Sequence, residues 1–301
     1  MENSFIAFRG PRLWLTHFSS LSGIITMILG LCAPFVLPQR PETSKVLNER
    51  QKYIACQRLV IEHKATGHEK TQPHHIKRGL LNINNYVCAG GFFCINITVQ
   101  GLSVFMPSVL QDLGWTNTRA QLYSVPVYVG ASAIAIIIAL ISDKTRQRGI
   151  YLAFFTFIGM SGFGVLRFYQ GTASVRYGAV YLCALGAFPG GPGFLSWGLN
   201  NSAGPAVRAV SGGWIVTLGT MGGILATWSY LPEDAPNYPI GHTINLVAQV
   251  IVFCLASFGV GYCMWENRLR ARGGRDFRLQ GKTEEEIRDL GYRHPEFRYI
   301  T

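Results

Sequence analysis

Asn96, Gln100 and Ser103 recur at i, i+4 and i+7 inside a long apolar run from Leu81 to Leu110. That spacing draws one narrow polar stripe along a helix face. Two amides and a hydroxyl can hydrogen-bond a solute but carry no charge and no nucleophile, so what they offer is recognition. In a bilayer such groups must face other helices or a water-filled cavity, and interhelical glue and cavity lining are both open readings. A second polar set, Ser196, Asn200 and Asn201, follows the stretch FPGGPGF, Phe188 to Phe194. Its two prolines and three glycines must break or kink a helix. Freed backbone groups at membrane depth are tolerated only against protein or a cavity, and discontinuous helices of this kind line transporter sites. A third set lies in SDKTRQRG, Ser142 to Gly149: Asp143 closes a helix, and Lys144, Arg146 and Arg148 follow. Cations suit both a helix C-terminus and anionic headgroups, so ordinary positive-inside charge accounts for them.

Bond-making chemistry has no visible machinery. The sequence contains no GxSxG, no HExxH and no embedded Asp/Glu pair, so an enzyme is not expected. His63, His68, His74 and His75 are irregularly spaced in a basic stretch and read as solvated side chains, with no metal and no cofactor implied. Of seven cysteines, Cys32, Cys88, Cys94, Cys183, Cys254 and Cys263 fall inside apolar runs and read as small buried hydrophobes. The sequon Asn96-Ile97-Thr98 sits at mid-membrane depth and should carry no glycan. Gly219 and Gly223 form a GxxxG that reads as close helix packing.

Seven apolar stretches must position these groups: roughly 18–37, 81–110, 122–141, 150–168, 177–199, 209–230 and 244–265. Each reaches the ~20 residues that span a bilayer. Arg167 is the one charged residue within them, close enough to the end of its span to snorkel. A composition of 49% hydrophobic and 14% charged residues fits a membrane protein. The net charge of +11 is confined to stretches between spans rather than one surface, which speaks against nucleic acid.

The basic residues alternate in number from loop to loop. Residues 38–80 carry nine and the tail from Glu266 carries nine, which places both in the cytoplasm; Arg9 and Arg12 are outvoted. The polar stretch YLPEDAPNYPIGHTINL, Tyr230 to Leu246, then faces outward. Asn48 with Gln51, and Thr283 with Glu286, read as capping boxes of two cytoplasmic helices, the second ended by Gly291. Residues 63–78 and 271–281 read as linkers.

Several motifs in order resemble the fungal anion:cation symporters of the major facilitator superfamily, the allantoate permease-like group. FVLPQRPETSKVLNERQKYIACQRL, with Pro38, Pro41, Glu42 and Thr43, is similar to that family's exit from its sixth helix. GLSVFMPSVLQDLGW resembles the end of the seventh helix, SVPVY with Pro126 and Tyr128 the start of the eighth, and SDKTRQRG the turn after it. WGLNNSAGPAVRAV resembles the tenth-to-eleventh turn, EDAPNYPIGHTINL the last outward loop, and HPEFRYI the family's C-terminal ending. Phe188 and Gly191 stand where the family often has tyrosine and asparagine, and Thr220 where asparagine is frequent.

The resemblance implies an all-α membrane protein, a C-terminal half-bundle with about seven transmembrane helices. Residues 1–17 lie outside the family pattern, 18–37 match the sixth helix, 38–80 form a cytoplasmic loop, 81–265 the six-helix half, and 266–301 a cytoplasmic tail. It implies proton-coupled symport of a small organic anion by alternating access, in the plasma membrane. Asn96, Gln100, Ser103, Tyr128, Ser196 and Asn200 would line the cavity, and Asp143, Arg146 and Arg148 would form the gating turn. The proton-coupling carboxylate would belong to an N-terminal half that this sequence does not contain. The alternatives are a non-transporting fragment of such a carrier and a seven-helix receptor. The receptor is disfavoured by the missing aromatic after Asp143-Lys144 and the missing Asn-Pro kink in the last span.

Overall fold

The computed structural model describes residues 21, 23–33, 44, 47–62, 73–112, 114–235, 237–288 and 290–301. Two units arise, residues 1–66 and 67–301. In the first, α1 (Gly23–Ala33) is the described part of the first expected span. Arg9, Arg12, Pro38, Pro41, Glu42 and Thr43 lie outside the described residues. The amphipathic stretch after Asn48 is helix α2 (Glu49–Glu62). Gln51 Oε1 accepts the Asn48 N–H at 3.1 Å, the return half of the expected capping box.

Among its described residues, the second unit carries six spans long and apolar enough to cross a membrane. They are α4 (Ile83–Asp112), α5 (Asn117–Thr145), α6 (Arg148–Phe168), α7 with α8 (Ala173–Ala187, Gly190–Asn200), α9 with α10 (Pro205–Thr220, Gly222–Ala226) and α11 (Pro239–Ala271). The expected break in FPGGPGF falls at Phe188 and Pro189, where α7 ends and α8 begins. A second break, at Met221, was not expected.

Packing apolar side chains against one another gains little when the alternative partner is lipid, so close backbone approach carries much of the cohesion. One such close approach joins α6 to α7: a Cβ on Gly186 would run into the Gly159 backbone and the Phe155 carbonyl. In the GxxxG, Gly219 and its neighbour Gly222 do the packing, since a Cβ on either would strike Phe92 or the Phe93 carbonyl. Gly223 meets only Gln100 Cγ, at 3.5 Å. One core gathers Ile95, Phe194, Trp197, Ile215 and Val252; another gathers Met106, Val127, Phe163 and Ala184.

Three sequence expectations need correction. Residues 73–78 are not linker: α3 (Pro73–Leu80) is helical and buries His75 and Gly79, with Pro73 at the first position, where its missing N–H costs nothing. His75 is therefore not a solvated histidine, and the His74 and His75 rings lie 4.0 Å apart; His63 and His68 lie outside the described residues. Cys32 and Cys254 are exposed, whereas Cys88, Cys94, Cys183 and Cys263 are buried. An apolar context marks outward helix faces as well as cores.

The stretch from Tyr230 to Leu246 folds into a cap on one end of the bundle. Tyr230 is buried with its ring 5.2 Å from Phe105, 5.7 Å from Tyr238 and 5.5 Å from His242. α11 starts at Pro239, earlier than the apolar run suggests, because His242 and Asn245 are buried within its first turns. At the same end Arg167 donates to Thr243 Oγ1 at 2.9 Å and Arg176 to Asn237 Oδ1 at 3.3 Å.

Candidate functional site

The polar stripe of α4 lies away from the cores. Gln100 and Ser103 are exposed and Asn96 is half-buried. Asn96 donates to the Phe92 carbonyl at 3.1 Å and Ser103 to the Val99 carbonyl at 2.7 Å. These are bonds to the residue one turn back, so the Asn96 amide oxygen is not consumed by them. Thr220, Gly223 and Thr227 line, with Gln100, a groove of about 330 Å³ open to the surroundings. Thr220 and Thr227 also turn their hydroxyl protons to their own helix, at 2.8 and 2.7 Å, and keep acceptor capacity toward the groove. Seven residues apart, both threonines stand on the same face, and the break at Met221 does not separate them.

Tyr128 sits deeper. Its hydroxyl donates to the Leu102 carbonyl at 3.1 Å and also interacts with Ser103. Its ring packs edge-on against Phe188 at 5.7 Å. Tyr128 thus joins the Ser103 end of the stripe and ties α5 to both α4 and the helix break.

Ser196 and Asn200 belong to a different place. Ser196 lines a small cavity of about 50 Å³ with Ser142, Arg148, Tyr151, Pro189 and Pro192. With its amide oxygen facing Arg148, Asn200 accepts from Nε at 3.0 Å and Nη2 at 3.2 Å. Arg148 also forms an ion pair with Asp143. Arg146 is exposed and contributes instead through its backbone, whose φ of 54° makes the left-handed turn between α5 and α6. The expected site residues therefore fall into two groups, the α4 groove and the α8 cavity, and only the second contains a cation.

Sequence reasoning missed other polar contacts. Gln249 on α11 donates to buried Thr98 at 3.0 Å, which takes the sequon's threonine into the packing. Asn85 donates to Ser211 Oγ at 2.6 Å and to the Gly79 carbonyl at 2.8 Å. The cluster Asn82, Asn84 and Asn85 at the head of α4 was the available signal. Among the described residues no group of three or more His, Cys, Asp and Glu converges.

Six long apolar helical spans, two of them interrupted, with uncovered amide and hydroxyl groups on one face, define an integral multi-pass membrane protein of the solute-carrier kind. Residues 18–227 match the Major Facilitator Superfamily, and the chain belongs to that family. It is 30% identical over 251 residues to an uncharacterized transporter of Schizosaccharomyces pombe, covering 83% of this chain and 51% of that one. To the high-affinity nicotinic acid transporter of Saccharomyces cerevisiae it is 26% identical over 216 residues, 72% of this chain and 40% of the other. To the major facilitator-type transporter hxnP of Emericella nidulans it is 22% identical over 285 residues, 93% of this chain and 57% of the other. The chain spans about half the length of the curated relatives it matches. No solved structure matches it.

Proposed function

We propose that the chain forms one half of a transporter for small organic anions, of the allantoate permease-like group. It would work by proton-coupled alternating access in the plasma membrane, with the tail and residues 38–80 in the cytoplasm. The observation that carries this reading is the stripe Asn96, Gln100 and Ser103 in the apolar midsection of α4, with Gln100 and Ser103 exposed and Gln100 lining a groove with Thr220 and Thr227. Polar side chains left facing lipid would lose their hydrogen bonds, so the face belongs against water, solute or a second half-bundle. An anionic solute is supported by the family motifs of the sequence; Arg148, beside Ser196 and Asn200, is held in an ion pair with Asp143 and lends its charge to a solute only when that pair opens. The name of the yeast relative, a nicotinic acid transporter, points to the same chemical class.

Uptake of a radiolabelled carboxylate such as nicotinate by cells expressing the carrier tests this. Asn96→Leu with Gln100→Leu should reduce uptake at least tenfold at unchanged membrane abundance. Unaltered uptake of every carboxylate tested would remove the stripe from the solute path.

The half-length match to the relatives favours a second reading, in which the chain carries solute only when a complementary half is present. Cells expressing the chain alone would then show background uptake, rising when an N-terminal half of a relative is co-expressed.

A further inference from the structure

The last residues of the chain occupy a groove built from helices far away in sequence. Asn201, just past the end of α8, holds Ile300 by both backbone groups: its amide accepts the Ile300 N–H at 2.8 Å and donates to the Ile300 carbonyl at 3.0 Å. Asn267 on α11 treats Tyr299 the same way, at 2.8 Å in each direction. Trp197 Nε1 adds a 2.7 Å bond to the Ile300 carbonyl. Arg270 donates to the carbonyls of Tyr292, His294 and Phe297 at 2.9–3.2 Å, and its guanidinium lies 4.7 Å from the Tyr299 ring centre. Glu266, itself buried, fixes Arg270 at 3.0 Å and Arg275 at 2.7 Å.

A packed terminus needs only apolar contacts. Here two carboxamides each read one residue's N–H and C=O, which is how a sheet edge reads an added strand. The site asks for an extended backbone at two consecutive residues, with aromatic side chains beside a fixed guanidinium. It reads backbone shape and aromatic character, and the occupant supplies both.

We infer that the ends of α8 and α11 form a peptide-recognition groove, filled here by the chain's own C-terminus, which straps the two helices together and can be displaced. Asn201 follows Asn200, whose amide oxygen accepts from Arg148, so the strap and the Asp143–Arg148 pair attach to adjacent residues. This does not depend on which solute is carried.

Two measurements test it. In the first, a fluorescein-labelled peptide of sequence HPEFRYIT is titrated into nanodisc-embedded protein ending at Arg293. Saturable binding is expected, weakened at least tenfold by Asn267→Leu and, in the full chain, shifted to at least tenfold higher peptide concentration by competition with the tethered strap. No saturable binding to truncated protein that retains its helical circular dichroism overturns the proposal. In the second, amide hydrogen exchange is followed in the full chain, which covers the case where truncation prevents folding. The Tyr299 and Ile300 amides should exchange slowly, at least tenfold faster in Asn201→Leu/Asn267→Leu, and faster again in wild type with excess unlabelled peptide. Free exchange in wild type contradicts the groove, and protection unmoved by the peptide contradicts a displaceable strap.

Discussion

Asn201 and Ile300 stand 99 positions apart in the chain, and the asparagine side chain bonds both backbone groups of the isoleucine. The Asn201 backbone carbonyl in turn accepts from Asn82 Nδ2 at 3.2 Å. One fully buried residue therefore joins the head of α4, the end of α8 and the C-terminus.

Asn201→Ala leaves the Ile300 N–H without this partner and shortens the bond set at its carbonyl. Each buried polar group left unpaired costs ~1–3 kcal/mol. The variant should lose on the order of 2 kcal/mol in a reversible unfolding measurement in detergent. A loss below ~0.5 kcal/mol would mean that water replaces the amide without cost.

Glu266 gives a sharper contrast. It is buried between Arg270 and Arg275, and removing one member of a buried ion pair leaves an uncompensated charge at a cost of ~3–5 kcal/mol. Glu266→Ala should therefore be among the most destabilising single changes outside the cores. Glu49→Ala removes the exposed pair to Lys52 and should shift stability by less than ~1 kcal/mol. The hydrogen bond to Glu266 raises the Arg275 pKa, so Arg275 stays charged and the contrast should persist across neutral pH.

The α6–α7 contact predicts opposite outcomes for two glycines, Gly186 of α7 inside the contact and Gly164 of α6 in open space. Gly186→Ala drives a methyl into the Gly159 backbone, and overpacking of this kind costs ~1–3 kcal/mol. Gly164→Ala meets nothing within 4 Å, and exchanging glycine for alanine within a helix is worth up to ~1 kcal/mol in favour of alanine. Thermal unfolding should move down for the first and stay level or rise for the second.

The six spans of the larger unit could be read from the sequence because lipid imposes one requirement on every residue of a span, and that requirement shows in composition alone. The break at FPGGPGF was legible for a similar reason: proline acts locally. Other features depend on partners distant in the chain. α3 was hidden behind a His- and Lys-rich composition, although Pro73 at its start was a usable sign. Gly159 and Gly186 look unremarkable until α6 and α7 are placed side by side. Of the site residues, Asn96, Gln100 and Ser103 were visible through their spacing. Thr220 and Thr227 share one face by their spacing, but were not grouped with the stripe because only the packing of α9 and α10 against α4 sets them beside Gln100. Asn267 and Arg270 looked like parts of an ordinary basic tail, because the segment they hold lies about thirty residues further on.

The central claim is that the α4 stripe faces a water-accessible solute path, and cysteine accessibility in native membranes tests it most directly. With the native cysteines replaced, single cysteines at Asn96, Gln100 and Ser103 are compared with cysteines at Phe157 and Phe258, which are exposed and apolar. A membrane-impermeant methanethiosulfonate reagent should label the three stripe positions, with protection by transported carboxylate, and leave the two phenylalanine positions unreacted. Labelling at Phe157 and Phe258 with none at Asn96, Gln100 or Ser103 would contradict the account.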